Sequence, residues 1–177
     1  MSTPKSNLDF RLMTLSYRIR DFFRPRRDLL KEAGIHPGFH VLDYGCGPGS
    51  YIAALAELVG ESGMIYAADL HSLAMQRVRR IASKKGLSNV ETIETDCDTG
   101  LPEGSIDVVL LYDIFHALGD PVQVLKELHR VLKPEGVLSF NDPHMKAIEI
   151  LSRVSGPDLF ALSRTDKRTY NFSKRIA

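Results

Sequence analysis

Several kinds of protein are excluded by what this chain lacks. Two cysteines in 177 residues cannot build a disulfide framework, so a reducing compartment is expected. No run approaches the roughly 20 apolar residues of a membrane helix. The opening MSTPKSNLDF has no apolar core behind a basic segment, so a cytoplasmic rather than secreted protein is expected. Internal repeats and low-complexity tracts are missing. No Ser-His-Asp or paired-Cys signature stands out. The six histidines and two cysteines show no close ligand spacing, so no metal site is expected. At 44% apolar and 25% charged residues, the chain is neither disordered nor collagenous. Its length suits one domain over residues 1–177, with a helical lead at 1–39, a sheet module at 40–177 and no separate substrate domain.

The net charge of +1 hides an uneven distribution. Residues 1–40 carry eight Lys/Arg against four Asp/Glu, residues 41–152 nine against sixteen, and residues 153–177 six against two. The densest basic group is Arg18, Arg20, Arg24, Arg26 and Arg27. It matches no aromatic-interleaved basic motif or zinc-finger spacing, so it reads as a solvated helix face with a basic hairpin, and nucleic acid is not an expected partner.

Hydrophobic spacing orders the elements. Leu8, Leu12, Leu15, Ile19 and Phe22 form one helical stripe, and Pro25 opens a second short helix that Gly34 closes. Five short apolar or β-branched runs follow, at Val41–Tyr44, Met64–Asp69, Val90–Thr95, Ile106–Tyr112 and Val137–Asn141. Helical patterns separate most of them, the clearest over Pro121–Lys133 with Asp120 as its cap. A further helix is expected over Met145–Val154. Such alternation predicts βαβ units and a parallel sheet covered on both faces. Leu159–Thr165 and Arg168–Lys174 then predict an antiparallel hairpin, with Tyr170 and Phe172 on a half-exposed strand.

The informative segment is Asp43-Tyr44-Gly45-Cys46-Gly47-Pro48-Gly49. It joins a strand to a helix, and its three glycines allow a sharp turn and close backbone approach. Asp69 ends the next strand, where a carboxylate can accept both hydroxyls of a ribose. The dinucleotide fingerprint is G-x-G-x-x-G, whereas the spacing here is G-x-G-x-G. A carboxylate at Asp43 would repel a pyrophosphate and suit an adenosine ligand with a cationic end. S-adenosylmethionine (SAM) is such a ligand, and a nicotinamide dehydrogenase is excluded by the spacing.

That loop resembles the first motif of the class I SAM-dependent methyltransferases. Leu111-Tyr112-Asp113-Ile114-Phe115-His116-Ala117-Leu118-Gly119-Asp120-Pro121, running into Arg130-Val131-Leu132-Lys133-Pro134-Glu135-Gly136, is similar to the later half of the subgroup that includes quinone-biosynthesis methyltransferases. Glu135 departs from that subgroup's usual Gly. The likeness covers roughly residues 25–142. It implies an α/β fold, a doubly wound, mostly parallel, seven-stranded Rossmann-like sheet that ends in the hairpin. It also implies SAM as cofactor and S-adenosylhomocysteine as product. Gly45 and Cys46 would hold the methionine end through their backbone, with Asp43 near its ammonium. Gly47 and Gly49 would let the cofactor lie close. Asp69 would take the ribose, and Leu70 would pack on the adenine. Asp96 and Cys97 would face the adenine amino edge, and Tyr112 would touch the cofactor through its carbonyl or ring.

The implied reaction is an in-line displacement at the sulfonium methyl. The protein's task is to bring a nucleophile ~3 Å from that carbon with water excluded. His116, just past the fourth strand, and His144, after the fifth, are the candidate bases or oxyanion holders. Tyr17 is a weaker candidate on the first helix. Residues 1–24 are expected to form a helical lid, or else a static helix at a sheet edge or dimer interface. The expected partner is a small-molecule acceptor, with the chain a monomer or homodimer. The alternatives are a SAM-binding subunit without chemistry, and a methyltransferase acting on RNA or protein.

Overall fold

The computed structural model describes residues 27–175. The stripe over 8–23, the lid at 1–24 and the start of the second helix at Pro25 lie outside the described residues. The elements are α1 (Arg27–Glu32), β1 (His40–Tyr44), α2 (Ile52–Val59), β2 (Met64–Asp69), α3 (Ser72–Lys85), β3 (Val90–Glu94), β4 (Ile106–Tyr112), a 3-10 turn (Phe115–Ala117), α4 (Pro121–Val131), β5 (Leu132–Asn141), α5 (Ala147–Ser155), β6 (Phe160–Thr165) and β7 (Tyr170–Lys174).

Among the described residues, seven strands form one sheet in the order β3-β2-β1-β4-β5-β7-β6. β1 pairs in parallel with β2 and β4, and so do β2 with β3 and β4 with β5. Only β7 runs antiparallel to its neighbours β5 and β6. This is the expected doubly wound, Rossmann-like sheet. Parallel neighbours need a crossover, and the crossover helices cover the faces.

Side-chain alternation divides the core in two. Leu42, Val109, Leu111 and Phe140 pack with Val124, Leu125, Leu128 and Val131 of α4. Val41, Ile65, Val108 and Leu110 pack on the other face with Leu30 of α1, Ile52 and Leu55 of α2, and Met75 and Val78 of α3. Fully burying each such aliphatic stabilises the fold by roughly 1.5–3 kcal/mol. β4 serves both faces and is buried along nearly its whole length.

Several boundaries differ from expectation, and the largest shift has a local reason. α4 stops at Val131, two residues before Lys133, and β5 begins at once at Leu132. Pro134 has no N–H to give a helix and disfavours helical backbone at Lys133. Lys133 Nζ instead reaches Asp107 Oδ1 at 2.6 Å. Ile106 pairs with Leu132 and Val108 with Val137, so the extra residues of β5 bulge out between. Gly136 is required there, since a Cβ would lie 2.7 Å from Leu132 Cδ2 and 3.1 Å from the Ile106 carbonyl oxygen. The expected helix from Met145 begins at Ala147.

The hairpin forms, and β7 is the inner of its two strands in the sheet: Asn171 and Phe172 are buried, while Tyr170, Ser173 and Lys174 are partly exposed. A latch at its turn explains Asn171. The Glu32 carboxylate accepts the N–H groups of Arg168 and Thr169 and the Thr169 hydroxyl, each at 3.0 Å. The Glu32 carbonyl accepts Asn171 Nδ2 at 3.1 Å and the Arg164 guanidinium.

Candidate active site at the carboxyl ends of the strands

The strand order reverses direction between β1 and β4. Parallel sheets bind ligands at that switch point, beyond the carboxyl ends of the strands. The glycine loop leaves β1 there. Gly45, Gly47 and Gly49 have φ of 77°, 53° and 79°, a region that side chains disfavour. A Cβ on Gly45 would also sit 2.8 Å from Ile114 Cγ1, so the loop touches the turn that follows β4.

The loop's amides point inward. Gly45 and Cys46 donate to the Ala68 carbonyl at 2.8 and 3.0 Å, and Gly49 donates to the Cys46 carbonyl at 3.1 Å. Gly47 donates to Asp69 Oδ2 at 2.8 Å. A phosphate cradle needs such groups aimed at the ligand. Here those amides are already bonded within the protein and the Asp43 and Asp69 carboxylates lie close by, a setting that suits a cation better than a phosphate.

Asp43 is buried at 2% exposure. Asp69 is half-buried, and its Oδ1 accepts the His71 N–H at 2.9 Å. Burial pushes the Asp69 carboxyl up, and the bonds from His71 and Gly47 pull it part of the way back. Burial also raises the Cys46 thiol, and the Asp43 and Asp69 charges add to it. Cys97 is raised by burial and by Glu127. Neither thiol is poised as a thiolate nucleophile.

Leu70 is half-buried beside Asp69. Asp96 and Cys97 line a cleft of about 280 Å³ with Leu118, Gly119, Asp120 and Gln123. The Tyr44 hydroxyl donates to the Asp96 carbonyl at 3.1 Å and ties that loop to β1. For Tyr112 the structure leaves the carbonyl and removes the ring. Its ring is buried against Tyr51, with centroids 5.5 Å apart, and its hydroxyl meets Ser139 Oγ at 2.7 Å. A large ring on a doubly covered strand packs inward, so only its main chain can meet a ligand.

The histidine candidates come together. The His116 and His144 rings lie 4.4 Å apart. Two acids that sequence reasoning missed hold them. The Asp142 side chain is wholly buried. Its Oδ2 is 2.9 Å from His116 Nδ1 and accepts the His116 N–H at 3.1 Å, while its Oδ1 accepts the His144 N–H at 3.1 Å. A carboxylate needs a donor, so Nδ1 carries a proton and Nε2 is the ring nitrogen left facing away from Asp142. Asp113 Oδ1 is 3.4 Å from His144 Nε2. Asp113 also has φ of 58°, a strained value for a residue with a side chain. Its N–H donates to the Asn141 carbonyl at 2.7 Å. The signal available was positional: Asp113 and Asp142 each follow directly on the carboxyl end of an inner strand.

The sequence matches a family described as a methyltransferase domain over residues 35–171. It is 27% identical over 156 residues to the ubiquinone/menaquinone biosynthesis C-methyltransferase UbiE of Pseudoalteromonas translucida, covering 83% of this chain and 62% of that protein. It is 32% identical over 113 residues to the demethylmenaquinone methyltransferase of Geobacillus stearothermophilus, covering 63% of this chain and 48% of that protein. The chain therefore spans about half to three-fifths of these curated relatives. Among solved structures, a SAM-dependent methyltransferase from Aquifex aeolicus aligns with a TM-score of 0.73 and 26% identity, over 89% of this chain and 96% of that one.

Proposed function

The chain belongs to the methyltransferase domain family, and from that premise we propose that it transfers a methyl group from SAM to a small-molecule acceptor. The observation that carries this reading is the glycine loop with its amides turned inward beside Asp43 and Asp69. That donor set fits a ligand whose ammonium and sulfonium are positive. The cleft at Asp96 and Cys97 is suited to its flat ring. The small-molecule acceptor rests on the relatives named for quinone biosynthesis.

SAM supplies an electrophilic methyl on a positively charged sulfur, which leaves as a neutral thioether. This chain's residues do the rest. Asp69 accepts the ribose hydroxyls on the lone pairs its backbone partners do not use. The carbonyls of Gly45 and Cys46 and the Asp43 carboxylate receive the ammonium. Gly47 and Gly49 keep the approach clear of side chains, and Leu70 packs on the adenine. Asp96 and Cys97 meet its amino edge, and Tyr112 contributes main chain. His116, held by Asp142, presents its Nε2 lone pair on the acceptor's side, with His144 beside it.

Ligand-dependent melting tests the reading. SAM and S-adenosylhomocysteine at a hundred times their dissociation constants should each stabilise the fold by ~2.7 kcal/mol, and NAD should not. An unchanged melting temperature with both compounds would falsify it.

A further inference from the structure

We propose that Asp113, His116 and His144 form a divalent transition-metal site on the acceptor side of the cleft. Asp113 and His116 come from the turn after β4 and His144 from the loop after β5, brought together by the β4–β5 pairing and by Asp142, which bonds both histidines. One ligand-capable atom from each lies within 4.8 Å of the others.

Three features favour an ion over a simple ion pair. First, the 3.4 Å between His144 Nε2 and Asp113 Oδ1 is long for a charge-assisted hydrogen bond, which spans ~2.7–2.9 Å. It matches the ~3.4 Å between two ligands each ~2.1 Å from a tetrahedral ion. Second, Asp142 grips His116 Nδ1 from the buried side. A carboxylate on the far nitrogen fixes the tautomer and ring orientation of metal-binding histidines. Third, the donors are two imidazoles and one carboxylate. That set selects zinc-like transition ions over magnesium or calcium, and in catalytic sites it leaves a position for substrate. The His116 and His144 side chains are 35% and 63% exposed, so an ion has an entry path.

The role of the ion rests on the methyl-transfer reading, though its binding does not. Ile114, next to Asp113, lies against Gly45, so the turn carrying two of the ligands borders the loop assigned to the methionine end, and a two-His, one-carboxylate set leaves a fourth position for substrate. It would take a hydroxyl oxygen of the acceptor, whose proton passes to solvent on coordination. The acceptor class is therefore a hydroxylated small molecule such as a phenol or enol.

Cobalt(II) titration of the full, chelator-stripped chain tests the site. A single equivalent should bind with the visible absorption of a low-coordinate nitrogen and oxygen site, and zinc(II) should displace it. His144→Ala and Asp113→Asn should each lower cobalt affinity by ~10-fold or more. Asp142→Asn, acting through His116, should lower it ~10–100-fold. His36→Gln, an exposed histidine elsewhere, should change nothing. His144 is exposed enough that its truncation leaves the fold intact, which keeps the test decisive if Asp113→Asn does not fold. No saturable absorption, or unchanged affinity in His144→Ala, overturns the site. Catechol added to the cobalt-loaded chain should shift its bands, and unshifted bands overturn the acceptor-holding role. Calorimetry with S-adenosylhomocysteine keeps the two readings apart. Cobalt binding without it retains the ion site and discards methyl transfer, and the reverse discards the ion.

Discussion

At the amino ends of the strands, Asp107 accepts Lys133 Nζ at 2.6 Å and the His40 N–H at 2.8 Å. At the carboxyl ends, Asp69 accepts two backbone N–H groups, and Asp142 accepts two more and an imidazole. The first arrangement answers a charge with a full opposite charge and is complete as it stands. The second answers charge with dipoles, which hold a carboxylate in place without neutralising it. One sheet thus carries an acid answered by a cation at one rim and acids held mainly by backbone N–H groups at the other.

The contrast is most easily broken at Asp142. Asp142→Ala strands three donors around a buried site and should cost about 3 kcal/mol or more of stability. Urea unfolding showing a loss under ~1 kcal/mol would group Asp142 with ordinary surface acids. Next in size is Asp69→Ala. It should weaken S-adenosylhomocysteine binding by about 1.5–3 kcal/mol, while Asp98→Ala, whose exposed carboxylate only serves the Gly100 N–H, should leave calorimetric affinity unchanged.

Glu127 sharpens the other side of the comparison. Burial raises its carboxyl, but the bonds from Arg130 and Thr99 outweigh that and hold it below its ordinary value of 4.5. Its ionised form is therefore favoured by folding. That contribution is complete above pH 4.5 and is lost as pH falls through the lower folded value. The stability gap between wild type and Glu127→Gln, about 1 kcal/mol near neutrality, should shrink below pH 4.5 in acid titrations followed by circular dichroism. A gap that widens in acid would contradict this sign. The smallest effect is expected for Lys133→Met, which removes the ion pair and leaves Asp107 its His40 N–H. Lys133 is 41% exposed, so thermal unfolding should register a loss of no more than ~1 kcal/mol.

Much of the carboxyl-end rim was legible because its signals are local. The glycine spacing, the acid ending the second strand and the apolar runs each fall within a few residues. His116 and His144 are legible as candidates on one rim, but their direct contact and the acids Asp113 and Asp142 beside them are not. His144 is 28 positions beyond His116 and meets it only because β4 and β5 pair up to Tyr112 and Asn141. For Tyr112 the sequence leaves ring or carbonyl open, and the two covered faces of β4 take the ring. The interior place of β7 was hidden too, since a hairpin pattern does not say which of its strands joins the sheet.

That placement of β7 bears on how the chain is made. Tyr170–Lys174 completes the sheet between β5 and β6, and the Glu32 bonds to Thr169 and Asn171 span 137 and 139 positions. A ribosome delivers Glu32 and β5 well before their partners emerge. Until then β5 presents a bare, apolar edge, the kind of template on which nascent chains associate. Contacts this distant in sequence also form slowly. A chain interrupted before Tyr170 would lose an inner stave of the sheet rather than a trimming, so the stretch most exposed to aggregation is set by the order of synthesis.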